Sequence, residues 1–243
     1  MASELQRVEW LLSEERHDRD LKVVQLIKPI ADTVLNATSE ILQLEGVGDV
    51  FPQQRVGKDG VVFDMHKLRT MTGHDHADSS IGEKLATKTG TLARLLRIDE
   101  FAQLQNILDG EMGFVGVRPL IPGDILKMQA ALPPHVFERW WQAYIAAYGG
   151  VIGHFALVAN ALIESGRIEN QSLQYFELRA MLDTGYVFDK ASKRFDNHLI
   201  RRASLRTVDR VGHVMTRRLG EHDLVTDLRT RSRKLLDYFD AAA

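Results

Sequence analysis

The chain of 243 residues contains no cysteine. That absence excludes disulfides, thiolate nucleophiles and cysteine metal sites together, and it accords with a reducing, cytoplasmic setting. Long apolar runs are missing as well. A membrane-spanning helix needs about 20 mostly apolar residues in succession, and the most apolar early run, Leu21 to Leu35, is interrupted by Lys28, Pro29 and Asp32. The opening residues lack the charged-then-apolar order of a signal peptide. Net charge is also small: 31 basic against 33 acidic residues leave −2, so bulk electrostatics gives no drive toward nucleic acid. No Walker or dinucleotide glycine pattern appears, and no internal repeat. These absences predict a cytoplasmic protein without a transmembrane segment. With 44% hydrophobic and 26% charged residues, the chain suits one domain, with or without helical extensions.

What is present is mostly helical periodicity. Val8, Leu11 and Leu12, then Leu21, Val24, Ile27 and Ile30, recur at threes and fours in polar surroundings. Pro29 is expected to end or kink the second of these helices. The pattern then changes: Gly57-Lys58-Asp59-Gly60 reads as a hairpin turn, and Val61, Phe63 and Met65 alternate as a strand would. Further helices are expected over residues 91–96, 100–108, 124–131, 135–148, 155–165, 171–182, 196–219 and 222–238. The fold class is therefore α+β, mostly helical, with a small β element near residues 51–71. The arginine-rich end reads as a solvated helix pair covering the core or forming a contact between copies, so a homo-oligomer is open.

The stretch "LRIDEFAQLQNILDGEMGFVGVRP" sets two acids before an amphipathic helix and ends it on glycines, an arginine and a proline. Ile98, Phe101, Leu104, Ile107 and Leu108 share one helical face, and Gly110 stands where a terminating glycine belongs. Asp99 then lies at the first helical turn, where a carboxylate serves as an ordinary cap. A chemical alternative rests on the cations nearby in sequence: Arg94, Arg97, Arg118 and the Lys67-Leu68-Arg69 segment. Such donors suit phosphate oxygens. Acids among them suit a magnesium-bound diphosphate, and a carboxylate held ionised by cations can attack phosphorus. His74 to Asp78, "HDHAD", carries ligand-type residues but no helical His-x3-His pair, and reads as a polar loop. Trp140, Trp141 and Tyr144 read as packing aromatics, and His66, beside Lys67, as a packing or surface histidine.

The segments "QRVGKDGVVFDMHKLRTM" and "GTLARLLRIDEFAQLQNILDGEMGFVGVRP" resemble the bacterial sugar transferases, the monotopic phosphoglycosyl transferases that begin cell-surface glycan synthesis. Weaker likeness continues through "YGGVIG" and through "LDTGYVFDKASKRFD", where Asp183, Tyr186 and Asp196 fall at familiar spacing. The resemblance implies a two-step reaction on a nucleotide diphosphate sugar, usually uridine-based, with Mg2+ and a covalent aspartyl-phosphosugar intermediate. Carried over by position, Asp99 is the nucleophile and metal ligand and Glu100 its acid/base partner. Lys67, Arg69, Arg94 and Arg118 would hold phosphates.

The chain departs from the family pattern as well. The family's N-terminal membrane hairpin is replaced by a charged segment, so the expected division is 1–46 in its place, 47–200 as the catalytic region and 201–243 as a helical extension. Leu68, Ala102, Glu111, Val117, Gly149, His154 and Ala156 differ from the usual residues. Without the hairpin, a soluble hydroxyl- or phosphate-bearing acceptor is expected in place of the family's polyprenyl phosphate. Two alternatives stay open: a lipid acceptor reached through a membrane-recruiting partner, and a retired transferase that binds nucleotide sugars and regulates.

Overall fold

The computed structural model describes residues 2–72 and 85–219. Two helices open the chain, α1 (Ala2–Leu12) and α2 (Glu14–Gln43), and the Ser13 hydroxyl between them caps α2 by accepting the Arg16 backbone N–H. Of the two outcomes expected at Pro29, an end or a kink, the first does not occur: α2 runs through it. An interior proline costs about 3 kcal/mol in a helix that has nothing else to hold it. Here Val24, Ala31, Leu35 and Leu42 line one buried face on both sides of the proline, so packing overrides the local penalty. The Thr33 hydroxyl also donates to the Pro29 carbonyl at 2.8 Å, and Lys28 pairs with Asp32 at 2.6 Å.

The helices rest on a hairpin of β1 (Val50–Val56) and β2 (Val62–Leu68), antiparallel with Val50 opposite Leu68 and Val56 opposite Val62. Its turn places Asp59 and Gly60 at φ +56° and +76°, the left-handed region that the Gly-Lys-Asp-Gly pattern anticipates. The tip is solvated, with Val61 62% exposed, whereas Met65 and Leu68 are buried beneath α2. A second antiparallel pair, β3 (Met71–Thr72) with β4 (Leu85–Ala86), leads into α3 (Lys88–Leu95). Gly90 lets α3 approach closely, since a Cβ there would sit 2.0 Å from the Thr70 carbonyl oxygen.

After α3 comes a 3-10 turn, Ile98–Glu100, then α4 (Gln103–Leu108), which Gly110 ends at φ +76°. The glycine-rich stretch beyond is a strand, β5 (Gly113–Val115), and not only a turn. It pairs in parallel with β6 (Gly150–Ile152), and the two backbones touch: a Cβ on Gly150 would lie 2.1 Å from the Gly116 nitrogen. Between and after these strands run α5 (Pro122–Ala131), α6 (Pro134–Ile145), α7 (His154–Glu164), α8 (Leu173–Gly185), a π-helical turn (Tyr186–Lys190) and α9 (Lys193–Leu219). The helix expected over 222–238 and the "HDHAD" loop lie outside the described residues.

Trp140, fully buried, centres the main core with Leu11, Met128, Tyr144, Tyr186 and Leu199. Its indole N–H donates to Asp183 at 3.2 Å, so the tryptophan pair of α6 packs as expected. Leu11 in this core, and Val24 and Leu42 in two smaller ones, show the N-terminal helices sharing their interior with the rest of the chain. Among the described residues no helix is long and apolar enough to cross a membrane.

Candidate active site

Asp99 is 4% exposed, yet it caps nothing: neither the 3-10 turn that carries it nor α4 has a side-chain cap. The turn begins at Arg97, whose backbone takes the left-handed φ of +59°. A non-glycine residue held there costs on the order of 1 kcal/mol, a strain the surroundings must impose. They do so through the Arg97 side chain, whose Nε donates to Glu100 Oε2 at 2.8 Å and whose Nη2 donates to the Val151 carbonyl of β6 at 3.2 Å. The acidic pair is thus locked against the glycine-rich strands.

Lys67 arrives from the end of β2 and places its ammonium 3.4 Å from Asp99 Oδ2. Its position is fixed by Asn106 of α4, fully buried, whose amide donates to the Asp64 carbonyl at 2.8 Å and accepts the His66 N–H at 3.0 Å. Arg118 follows β5 and donates to Glu100 Oε1 at 2.9 Å. Tyr144 holds the segment beyond it, donating to the Val56 carbonyl at 2.6 Å and accepting the Leu120 N–H at 2.7 Å. Gly149 is also required here, because a Cβ would meet the Pro119 ring at 2.5 Å.

The two acids sit in opposite electrostatic environments. Burial alone would raise the Glu100 pKa, but Arg118 and Arg97 override it and pull the carboxyl down to about 2. Asp99 moves the other way: burial pushes it above the ordinary aspartate value, and the Lys67 ammonium only partly offsets this. Burial likewise lowers Lys67 despite its partner. The expectation that surrounding cations keep the Asp99 carboxylate ionised is met only in part: Lys67, Arg94 and Arg118 pull it down but burial outweighs them, and Glu100 is the acid that the cations hold low. Asp99 is paired with Lys67, and it also feels the Glu100 charge.

A depressed folded-state pKa gives stability that is present above the unfolded value of about 4.5 and lost as pH falls toward 2. On the order of 3 kcal/mol is at stake for Glu100. Urea unfolding of the native protein and Glu100→Gln should therefore differ at pH 6 and converge near pH 2.5. A constant difference would show that the carboxylate is not held by its arginines.

These groups open on a cleft of about 500 Å³ lined by Arg55, Lys67, Arg94, Arg97, Asp99, Glu100 and Arg118, with α7 and α8 forming the facing wall. Of the six residues singled out from sequence, five line it. Arg69 does not: it pairs with Asp49 at 2.6 Å and lies over the Phe51 ring at 4.7 Å, because β2 ends at Leu68 and the strand alternation stops before it. Sequence reasoning missed Arg55, Asp124, Tyr175 and Arg179. Tyr175 and Arg179, four residues apart on α8, share one helix face, and that spacing was a legible signal.

No three potential ligand side chains converge among the described residues. Both Glu100 oxygens are taken by arginines, which leaves Asp99 as the carboxylate of the acidic pair able to face a metal. One carboxylate fits Mg2+ that arrives with a diphosphate, since that ion takes one or two carboxylates and fills its other positions with phosphate and water.

The profile of the bacterial sugar transferases matches residues 18–210. Among curated proteins, the chain is 28% identical over 146 residues to a UDP-N-acetylgalactosamine-undecaprenyl-phosphate N-acetylgalactosaminephosphotransferase of Aeromonas hydrophila, covering 58% of this chain and 34% of the relative. It is 35% identical over 105 residues to a UDP-glucose:undecaprenyl-phosphate glucose-1-phosphate transferase of Caulobacter vibrioides, covering 41% of this chain and 39% of that one. A protein of the same description from Escherichia coli is 30% identical over 173 residues, covering 69% and 35%. The chain thus spans well under two thirds of these relatives. Because the family profile runs from within α2 to within α9, across the hairpin, the acidic pair and both glycine strands, the chain belongs to the bacterial sugar transferase family.

Proposed function

We propose that this protein transfers a sugar 1-phosphate from a nucleotide diphosphate sugar, in two steps through Asp99, to a phosphate-bearing acceptor. The observation that carries the reading is a buried, uncapped Asp99 facing a cleft whose other charged residues are mainly cations. In the first step an Asp99 oxygen bonds to the β-phosphorus. The bond from that phosphorus to the bridging oxygen breaks, and the oxygen leaves with its electron pair as nucleoside monophosphate. In the second step an acceptor oxygen bonds to the same phosphorus, and the electron pair of the acyl-phosphate bond returns to Asp99. Mg2+, carried in with the diphosphate and met by Asp99, would neutralise phosphate charge. Arg94 and Lys67 orient the phosphates, and Arg118 is aimed by Glu100.

Glu100 takes a different part from the acid/base role that position suggested. A general base works best with a pKa near the operating pH, and Glu100, tied by both oxygens and held at about 2, is far from it. A hydroxyl acceptor would need such a base. A phosphate monoester, with a second pKa near 6, is already largely dianionic at neutral pH and needs none. This supports a phosphate acceptor, and the names of the relatives favour undecaprenyl phosphate over the soluble acceptor expected from sequence. An exposed apolar stripe on α2, with Leu26, Ile30 and Ile41 all more than half exposed, gives a lipid-borne acceptor a surface to approach.

The test is intact-protein mass after incubation with Mg2+ and a panel of UDP-sugars. A phosphosugar adduct and released UMP are expected, followed by loss of the adduct on adding polyprenyl phosphate. Loss of the adduct only to a soluble phosphate would restore the soluble acceptor. Tight nucleotide-sugar binding with no adduct from any donor would favour the regulatory alternative.

A further inference from the structure

The cleft holds more cationic side chains than the acidic pair and a single diphosphate engage. Seven arginines and lysines line it, Arg210 of α9 among them, against three carboxylates, Asp99, Glu100 and Asp124. Lys67 faces Asp99, and Arg97 and Arg118 are bound to Glu100. Arg55 and Arg179 are arranged differently.

Arg179, on α8, is 5% exposed. Its guanidinium lies over the Phe155 ring, 4.0 Å from the centroid, and its Nη2 donates to the Tyr175 hydroxyl at 3.1 Å. Its Nη1 is buried with no hydrogen-bond partner among the described residues, and its ion pair with Asp183 is long, 3.8 Å. Among the described residues Arg55, on β1, donates to neutral oxygens only, the Pro119 carbonyl at 3.1 Å and Gln53 Oε1 at 2.5 Å, and its Nε is buried without a hydrogen-bond partner there. Buried guanidinium N–H groups left unsatisfied cost free energy that an arriving anion would recover. Burial, with the same-sign charge of Arg118 adding to it, brings Arg55 down to about 10, which again favours an incoming negative charge.

We propose that Arg55 and Arg179, with the Tyr175 hydroxyl, form a second phosphate subsite in the cleft, which takes a phosphate monoester carried either by the acceptor or by the departing nucleotide. The geometry suits it: two planar donors supply unshared N–H groups, and the Tyr175 hydroxyl, accepting from Arg179, keeps its own proton to donate. Its place in catalysis rests on the reading proposed above, whereas its ability to bind phosphate does not.

Methyl phosphate, a monoester with neither base nor lipid, is the probe. Calorimetric titration should show binding that weakens by about tenfold or more in Arg55→Gln and in Arg179→Gln, and that Arg179→Lys restores only in part, since lysine returns the charge without the planar pair of donors. Arg55→Gln carries the test should Arg179→Gln fail to fold. Equal affinity in the native protein and Arg55→Gln, or a loss confined to Arg94→Gln, overturns the subsite. With adduct-loaded protein, a raised KM for polyprenyl phosphate and unchanged labelled-UMP exchange in Arg55→Gln assigns the subsite to the acceptor. The reverse pattern assigns it to the nucleotide, and no change in either overturns its role in transfer. Absence of any adduct in the native protein defeats the transferase reading alone, because the titration still decides the subsite.

Discussion

Asp99→Asn should abolish the phosphosugar adduct and lower nucleoside monophosphate release by about four orders of magnitude or more, as loss of a nucleophile does elsewhere. The amide keeps the shape and volume of the carboxylate but carries no negative oxygen to bond to phosphorus. The same substitution makes a second, independent forecast about stability. Burial raises the Asp99 pKa, so the charged form is disfavoured by the folded protein at neutral pH. An amide removes that burden, and the variant should unfold at the same temperature as the native protein or a higher one. A residue that costs stability and is needed for turnover is the signature of a functional group in place of a structural one. Two results would refute the assignment: an adduct that survives the substitution, or a fall in stability of several kcal/mol, which would mean that Asp99 is there to pair Lys67.

The acidic pair was legible in the sequence because its cations are so dense nearby, and the helices were legible because their apolar residues recur at threes and fours. What the sequence could not convey is the difference between two adjacent carboxylates. Glu100 is bonded to Arg118, which a strand crossing brings back, whereas Asp99 meets Lys67 from a hairpin more distant still in the chain. Neighbours in sequence therefore differ in charge environment for reasons that are entirely tertiary. Arg69 illustrates the converse: two residues from Lys67, it leaves the cleft because the strand has ended and Asp49 is at hand. Pro29 likewise failed to end the helix because Val24 before it and Ala31 after it are buried in one core, while Leu35 and Leu42 anchor the second half in another.

Asp196→Ala should destabilise the protein by about 3–5 kcal/mol, the cost of leaving a buried charge without its partner. The sequence brought Asp196 to notice only for its spacing from Tyr186; the structure gives that spacing a mechanical reason. Asp196 is fully buried and accepts the Tyr186 hydroxyl at 2.7 Å, Arg16 Nε at 3.1 Å, and the Trp10 indole and Arg19 at 3.4 Å each. Arg16, 3% exposed, also donates to the carbonyls of Leu11 and Val115, and the neighbouring Asp20 accepts the Phe114 N–H at 2.9 Å. One carboxylate thus ties α1, α2 and the start of α9 to β5, the strand that leads to Arg118. Denaturant unfolding measures the loss, and Asp196→Asn, which keeps an acceptor oxygen, should recover part of it. The consequence should reach the cleft: with β5 loosened, Arg118 no longer meets Glu100 in fixed register, so any Asp196→Ala protein that remains folded should form the adduct more slowly. A loss below about 1 kcal/mol would mean that Arg16 finds another partner, and that the remaining contacts hold the N-terminal helices without Asp196.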